Sequence, residues 1–394
     1  MSRSTTPEPP AAAVLTPELA AGLTAELAAG STTARPQLAP GRAVVPDPRR
    51  AAAGKGRPAG LAATNARRAV WLAGSVGVLA VVCLLSIAVG TKNLSPATIW
   101  DAFAHYTGTG DQSIVRDLRV PRTVLAILVG ASLGISGAVI QAVTRNPLAD
   151  TQVLGINAGA GLFVVVAVGL LGLSSIAAYV WFAFAGVVVA MLLVYALAAV
   201  GRGPATPVRL LLAGVALGAV LEGIASGIRL VRPRAFYYLR FWDVGALTGR
   251  GWDVIGAVAP FVVAGLVLAL LVARSLNTVA LGDDLARSLG ARLGRTRAGA
   301  VLSVTLLAGA ATAAVGPIGF VGLMVPHVAR WITGPDQRWI FAFTLVGGPV
   351  LLLSADIAGR VVLRPGELQA GIVTAFIGAP VLVWLVRRRS ASAL

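Results

Sequence analysis

The segment Val254-Ile-Gly-Ala-Val-Ala-Pro-Phe-Val-Val-Ala-Gly-Leu-Val-Leu-Ala-Leu-Leu-Val-Ala-Arg274 contains no charged residue before its final arginine. An α-helix needs roughly 20 consecutive apolar residues to span the hydrocarbon core of a bilayer. A helix is favoured there because it satisfies its own backbone hydrogen bonds. This segment alone therefore predicts a transmembrane helix.

The composition of the whole chain agrees with this prediction. Of the 394 residues, 57 % are hydrophobic and 12 % are charged, and the mean hydropathy is +0.82. A soluble fold of this length would need far more polar surface, so a soluble protein is excluded. The net charge of +17 does not indicate nucleic-acid binding, because no basic stripe is interleaved with aromatic residues.

Further apolar segments recur along the chain and predict an all-α polytopic membrane protein of about ten transmembrane helices. The eighth segment is short and contains Pro326, so we expect a tilted, broken or partly re-entrant helix there. The predicted spans are 70–90, 121–142, 156–174, 177–200, 208–228, 254–274, 298–316, 318–332, 339–357 and 369–387.

Charge distribution predicts the orientation of these spans. Ten spans place both termini on one side, and 22 of the 33 Lys and Arg residues then fall on that side. Such an excess is typical of the cytoplasmic face. We therefore expect a disordered cytoplasmic tail at 1–69, a transmembrane domain at 70–388 and a cytoplasmic C-terminus; the predicted outer loop 229–253, with five arginines, is an exception.

A faint internal repeat accompanies this pattern. A shift of 179 residues places Gly130 on Gly309, Gly137 on Gly316, Pro147 on Pro326 and Gly155 on Gly334. Because glycine and proline restrict backbone shape, these matches predict matching bends in the second and seventh spans. An odd number of spans separates them, so the two halves would be inverted repeats, with chance matching of glycines as the alternative.

No constellation of catalytic residues is present in the sequence. The two histidines, His105 and His327, are far apart, Cys83 is the single cysteine, and there is no GxxxxGK[ST] phosphate loop. We therefore expect no enzymatic activity, no bound metal and no cofactor in this chain. If transport is driven by ATP, the ATPase is another subunit.

The polar segment 275–297 separates two strong spans and predicts two short amphipathic helices broken at Gly290. Asp283 and Asp284 lie where the positive end of the first helix dipole favours acids. Such a rigid element would bind in a groove on a partner and transmit its motion. The alternative is an ordinary interfacial loop.

Three arginines and one glutamate stand out near or within the apolar spans. Arg119, Arg122 and Arg360 suit bidentate pairing with carboxylates of a partner or ligand. Interface snorkelling is the alternative for all three, and an i,i+4 pair with Asp356 is a further one for Arg360. Glu222 is the one acid well inside a predicted span, so it either lines a pathway or pairs structurally, for example with Arg229.

Several segments resemble the FecCD-type permeases, which include the vitamin B12 permease. They occur along the chain in the order expected for that family. The resemblance covers about 75 to 388. Its most specific motif is Gly316-Pro-Ile-Gly-Phe-Val-Gly-Leu-Met-Val-Pro-His327. The others are Arg119-Val-Pro-Arg-Thr123, Gly130-Ala-Ser-Leu-Gly-Ile-Ser-Gly-Ala-Val-Ile-Gln141, Arg145-Asn-Pro-Leu-Ala149, Leu154-Gly-Ile-Asn-Ala-Gly-Ala160, Leu211-Leu-Ala-Gly-Val-Ala-Leu-Gly218, Phe241-Trp-Asp-Val-Gly-Ala-Leu247, Ala355-Asp-Ile-Ala-Gly-Arg360 and Gly378-Ala-Pro380.

The resemblance implies a type II ABC importer permease in the bacterial plasma membrane. Its partners would be two ATPase subunits that use ATP, an extracytoplasmic substrate-binding protein and a second permease copy or paralogue, surrounded by membrane lipid. Arg119, Arg122 and Arg360 would bind carboxylates of the binding protein. The coupling residues would be Leu281, Gly282, Asp283, Asp284, Ala286, Arg287, Leu289 and Gly290. Thr206 and Glu222 would lie along the pathway.

The expected cargo is a ferric siderophore, with vitamin B12 or haem as alternatives. A secondary carrier driven by ions is the alternative from another class. Two positions depart from the resemblance. Glu222 replaces a small or hydroxyl residue, and Gln369 stands where proline is usual. The segment 1–69 has no counterpart in the family.

Overall fold

A computed structural model describes residues 61–62, 64–92, 94–108, 110–173, 175–200, 207–240 and 242–389. They lie in one compact unit, Pro58–Leu394. Within these described ranges the regular structure is entirely helical.

The described helices are numbered here in chain order. The first seven are α1 (Asn65–Ala88), α2 (Pro96–Ala104), α3 (Gly110–Ser113), α4 (Val120–Thr144), α5 (Ile156–Gly169), α6 (Ile176–Ala199) and α7 (Pro207–Val231). The next seven are α8 (Pro233–Leu239), α9 (Trp252–Val279), α10 (Asp283–Ser288), α11 (Leu293–Val315), α12 (Val321–Thr333), α13 (Gln337–Val362) and α14 (Ala370–Arg389). A π-helical segment, Ile114–Arg119, joins α3 to α4, and a 3₁₀ turn, Thr151–Leu154, precedes α5.

Each predicted span coincides with one apolar helix, so the all-helical membrane fold is confirmed. Seven helices among the described residues are long and apolar enough to cross a bilayer, namely α1, α4 with its preceding turns, α6, α7, α9, α11 and α13. The remaining predicted spans correspond to the shorter α5, α12 and α14. The eighth is short, as predicted, and Pro326 lies inside it.

Helix α4 forms the centre of the fold, where it packs against α9, α11, α12 and α13. Most of its side chains are buried, and glycines permit the close approach of its neighbours. A Cβ atom at Gly137 would lie 1.9 Å from the carbonyl oxygen of Gly322 in α12, and one at Gly130 would lie 2.6 Å from the backbone nitrogen of Pro349 in α13. These backbone contacts leave no room for side chains.

The structure corrects the sequence predictions at two places. Helix α1 begins at Asn65, inside the segment predicted as a tail, because the Thr64 side chain accepts a hydrogen bond from the amide of Arg67 and caps the helix. The bends predicted from the 179-residue shift match only in part, since Gly155 and Gly334 both adopt a positive φ, 75° and 77°. Gly137 lies in the middle of α4, whereas Gly316 ends α11 with φ 81°. The inverted relation of the two halves stays a prediction.

Candidate functional site

The first arginine of the predicted docking set, Arg119, caps the C-terminal end of α1. Its Nη1 atom donates to the carbonyl oxygens of Ile87 and Ala88 at 2.8 and 2.7 Å, and its Nη2 donates to that of Lys92 at 2.6 Å. The last carbonyls of a helix have no partner within the helix. Arg119 supplies those partners, and it is 5 % exposed.

The other two arginines of the set share one buried carboxylate. Arg122 donates from Nε to both oxygens of Asp356 at 3.1 Å and from Nη2 to Oδ1 at 2.6 Å. Its Nη1 donates to Glu367 at 2.9 Å. Arg360 pairs with Asp356 one turn away in α13 and donates to the carbonyl oxygen of Ser86 in α1 at 2.7 Å. The i,i+4 pair proposed from the sequence is therefore present.

These contacts assign the three guanidinium groups a structural role in holding α1, α4 and α13 together. A cavity of about 420 Å³ lies beside them and is large enough to admit side chains of a partner. Contact of the three arginines with a partner stays a prediction. The charged residues that line this cavity, among those the structure describes, are Lys92, Arg119, Arg122, Arg250, Arg360 and Glu367. The excess of cations favours an anionic partner surface at this face.

Two of the sequence motifs, the one that begins at Phe241 and the one that begins at Gly316, make contact through their backbones. This contact forms part of the wall of two cavities that are described below. The loop that follows α8 packs on the segment that follows α11. There the amide of Ala246 donates to the carbonyl oxygen of Val315 at 2.8 Å. A Cβ at Gly316 would lie 1.9 Å from the Trp242 carbonyl oxygen, and its φ of 81° also favours glycine. The glycine of this motif is thus required by a close approach as well as by its backbone conformation.

Two adjoining cavities, of about 460 and 680 Å³, open on either side of this wall. Both are lined by Gln152, Asp243 and Pro317. The smaller one extends along α5 and α7, and the larger one extends to α12 and α14. Together they form a wide, mainly apolar depression with few charges in its described lining.

The charges in this depression form one cluster. Arg229 of α7 donates from Nη1 to Glu222 at 2.7 Å and from Nη2 to Asp243 at 3.2 Å. The Arg229 side chain is 16 % exposed, whereas that of Glu222 is 52 % exposed. The pairing with Arg229 proposed for Glu222 is therefore present, and Glu222 also lines the smaller cavity. Whether it contacts a transported ligand stays a prediction.

Helix α7 has a surface unlike that of the other exposed span, α1. Of the α7 residues whose burial is described, only Gly214 and Ala225 are buried. A mostly exposed helix is expected where lipid surrounds it, as for α1, whose outward face is apolar. The exposed face of α7 also contains the half-exposed Glu222, and a carboxylate in lipid is costly. This face therefore favours water or a protein partner as its neighbour.

One predicted pathway residue, Thr206, lies outside the described residues. Conversely, Asp243 belongs to the charge cluster without having been predicted as a site residue. Its signal was an acid inside the apolar motif that begins at Phe241, with a buried tryptophan, Trp242, beside it. Its distance in sequence from Glu222 concealed the contact.

The predicted coupling segment forms a short helix, α10, followed by a break. Asp283 and Asp284 occupy its first turn as predicted, and Gly290 adopts a φ of 79° where the break was expected. The second predicted short helix is wrong as a separate element. Residues from Leu293 onward instead begin the long helix α11, which continues to Val315.

Asp283 connects α10 to the rest of the protein. Its carboxylate accepts hydrogen bonds from Arg145, at the C-terminal end of α4, and from Arg297 in α11, the latter at 2.7 Å. Burial raises the pKa of the Asp283 carboxyl, but the hydrogen bonds and charges of the two arginines outweigh this effect and lower its pKa below the usual value. The carboxylate is therefore ionised at neutral pH.

The sequence is similar to those of iron-transport permeases over most of its length. It is 47 % identical to the ferric enterobactin transport system permease protein of Escherichia coli, over 82 % of this chain and 96 % of that protein. It is 38 % identical to a probable siderophore transport system permease protein of Bacillus subtilis, over 79 % and 93 %. It is 35 % identical to the hemin transport system permease protein of Yersinia pestis, over 79 % and 92 %.

The fold is also found among solved structures. An inward-facing metal-chelate-type ABC transporter superimposes with a TM-score of 0.72 at 24 % identity, over 80 % of this chain and 98 % of that one. The sequence pattern of the FecCD transport family matches residues 78–388. These matches confirm the resemblance deduced from the motifs, and the chain belongs to the FecCD transport family.

Proposed function

We propose that this chain is the transmembrane permease subunit of a binding-protein-dependent ABC importer that translocates a ferric siderophore into the cytoplasm. The observation that carries the proposal is the wide depression formed by the cavities of about 460 and 680 Å³. A bulky chelate needs such a mainly apolar passage rather than a tight ion site. Iron–siderophore transport named for several relatives supports the same cargo.

Three regions of the molecule suit the three kinds of partner that this function requires. The cavity beside Arg119 and Arg122, with its excess of cations, suits the carboxylates of a substrate-binding protein. The exposed helix α10 suits a groove on an ATPase subunit, which would hydrolyse the ATP. The exposed face of α7 suits a second permease copy or a paralogue, with the pathway between the two chains.

The bacterial permease relatives support a location in the plasma membrane, and the charge bias supports cytoplasmic positions for both termini. Haem is the second candidate cargo, because one relative is a hemin transport permease. Vitamin B12 is a further candidate from the resemblance. A secondary carrier is less well supported, since Glu222, the acid within the span, is already paired with Arg229.

Radio-iron uptake in a strain that lacks the gene tests this proposal. We expect the uptake of one ferric chelate, supplied as hydroxamate, catecholate or citrate complex, to be lost and to return with the wild-type gene. Labelled haem and vitamin B12 are supplied in parallel. Loss of haem or vitamin B12 uptake alone would overturn the siderophore assignment, and ATP-independent uptake would favour the secondary carrier.

Glu222→Gln is expected to change the chelate preference of the importer. The substitution removes one negative charge from the cavity surface while Arg229 keeps its contact with Asp243. At ~10 Å, one unit charge contributes about 0.4 kcal/mol in water and about 1.7 kcal/mol at an effective dielectric constant of ~20. The uptake of anionic chelates relative to neutral ones should therefore rise about twofold to twentyfold.

Uptake per permease in the membrane measures this effect. Asp253→Asn is the matched control, because Asp253 is exposed in the first turn of α9 and lines none of the cavities described above. An unchanged rate and preference in Glu222→Gln would show that Glu222 has only a structural role.

A further inference from the structure

Helix α10 has little apolar contact with the rest of the described structure. Ala286 is its one buried residue, packed in a small cluster with Val279 and Leu293. Leu285 within the helix is 49 % exposed, and Leu281 and Leu289, on either side of it, are both 59 % exposed. Apolar burial therefore contributes little to the position of α10.

A set of charged residues fixes the helix instead. We call Asp283, Arg145 and Arg297 the Asp283 clamp. Arg145 donates to one carboxylate oxygen and Arg297 to the other, so both oxygens are used. The Nε atom of Arg145 donates in addition to the carbonyl oxygen of Val279, at the end of α9, at 2.8 Å. One carboxylate thus connects α10 to the ends of α4, α9 and α11.

Arg145 lies in a backbone conformation that its side chain does not favour. It ends α4 with φ 53° and ψ 26°, the left-handed region that glycine normally occupies at this position. An L-residue is disfavoured there, because its Cβ comes too close to the following carbonyl oxygen. Glycine would remove this strain, but it would also remove the guanidinium group that binds Asp283 and the carbonyl oxygen of Val279. The arginine side chain therefore has a specific task at this position.

Helices α4 and α11, which the clamp contacts, are each followed by a segment that lines the two cavities. The segment that follows α4 contains Gln152, and the segment that follows α11 contains Pro317; both residues line the two cavities. The two segments also meet, because a Cβ at Gly319 would lie 2.5 Å from Nε2 of Gln152. A displacement of α10 that is passed to α4 and α11 would therefore reach the cavity wall.

We propose that the Asp283 clamp is the positioning link that converts movement of α10 into movement of α4 and α11, and so couples ATP hydrolysis to transport. This inference rests on the proposed function. Asp283 acts through its two arginines and contacts neither ATP nor the transported ligand.

An exposed acid in another helix offers a control. The Asp253 side chain is exposed in the first turn of α9 and lines none of the cavities described above. Like Asp283, it lies at the positive end of a helix dipole. Asp283→Asn and Asp253→Asn remove equal charge from the first turn of a helix, and only the first breaks the clamp.

The experiment reconstitutes the permease with its ATPase subunits in proteoliposomes, supplies the loaded binding protein, and measures chelate uptake and ATP hydrolysis together. In Asp283→Asn we expect the number of chelates transported per ATP, measured on the assembled complexes, to fall about tenfold. In Asp253→Asn this ratio should equal that of the wild type. A purely structural role would lower assembly and leave the ratio unchanged.

Arg297→Gln is the second variant, since it removes one arm of the clamp and leaves Arg145 in place. It should lower the same ratio by a smaller factor and serves if Asp283→Asn does not assemble. An unchanged ratio in the assembled variants, or failure of both to assemble, would overturn the coupling role. A wild-type complex without ATP-dependent uptake would overturn the proposed function and this inference together, whereas a failure limited to the variants overturns the inference alone.

Discussion

Asp356→Asn is expected to destabilise the protein by about 3–5 kcal/mol, because it leaves two buried guanidinium groups without their shared counter-ion. Asp356 is fully buried, and the side chains of Arg122 and Arg360 are 12 % and 2 % exposed. Asparagine has nearly the same shape, so the loss reports charge rather than packing. Removal of one partner from a buried pair is costly because the remaining charge is not rehydrated.

The measurement is the midpoint of unfolding of the purified protein in detergent, compared with that of the wild type. Asp284→Asn is the control, since the Asp284 side chain is fully exposed and its ion pair with Arg287 contributes little to stability. A loss in Asp356→Asn no larger than in the control would contradict a stabilising role for the shared carboxylate. In that case Arg122 and Arg360 would be available to bind carboxylates of a partner.

Gly137→Ala is expected to weaken the packing of α4 on α12. The new Cβ would lie 1.9 Å from the carbonyl oxygen of Gly322 and 2.4 Å from two other backbone atoms of that residue. The same carbonyl also accepts a hydrogen bond from Gln141 at 3.2 Å, so a shift of α12 would disturb this bond as well. Overpacking of a close contact costs about 1–3 kcal/mol, and backbone contact places this site at the upper end.

Gly77→Ala is the control for the glycine substitution. Gly77 is also inside a span, α1, but a Cβ there would meet nothing within 4 Å. Because alanine is a better helix former than glycine by about 1 kcal/mol, stability should be unchanged or slightly higher in the control. Thermal unfolding in detergent, followed by resistance to proteolysis, measures both variants. Equal stability of Gly137→Ala and Gly77→Ala would show that α4 and α12 are not held in close contact.

The three arginines of the predicted docking set illustrate the limit of motif reasoning. Their position at the end of a span and their fit to carboxylates were evident from the sequence. Their contacts proved to be internal, with carboxylates for Arg122 and Arg360 and with backbone carbonyls for Arg119. Arg122 and Asp356 are 234 residues apart in the chain. A partner so distant has no local signal, whereas the Asp356–Arg360 pair, one helical turn apart, was foreseen as an alternative.

Local sequence determined the features that depend on short stretches of chain. Apolar length predicted the seven described helices that are long enough to span a bilayer, proline and shortness marked α12, and Gly290 marked the break after α10. The ordered motifs predicted the FecCD family, which the comparison with known proteins confirms. Hydropathy, helix propensity and backbone preference act over a few residues, so one sequence suffices to predict their effects.

Tertiary structure alone decided which polar groups meet. It placed Asp243 against Arg229, gave both oxygens of Asp283 to arginines of α4 and α11, and pressed Gly137 against Gly322. Inside an apolar bundle each charge must find a counter-ion or a carbonyl, since burying an unpaired charge is costly. The sequence therefore predicts that such partners exist, and only the packing of the helices determines which residues they are.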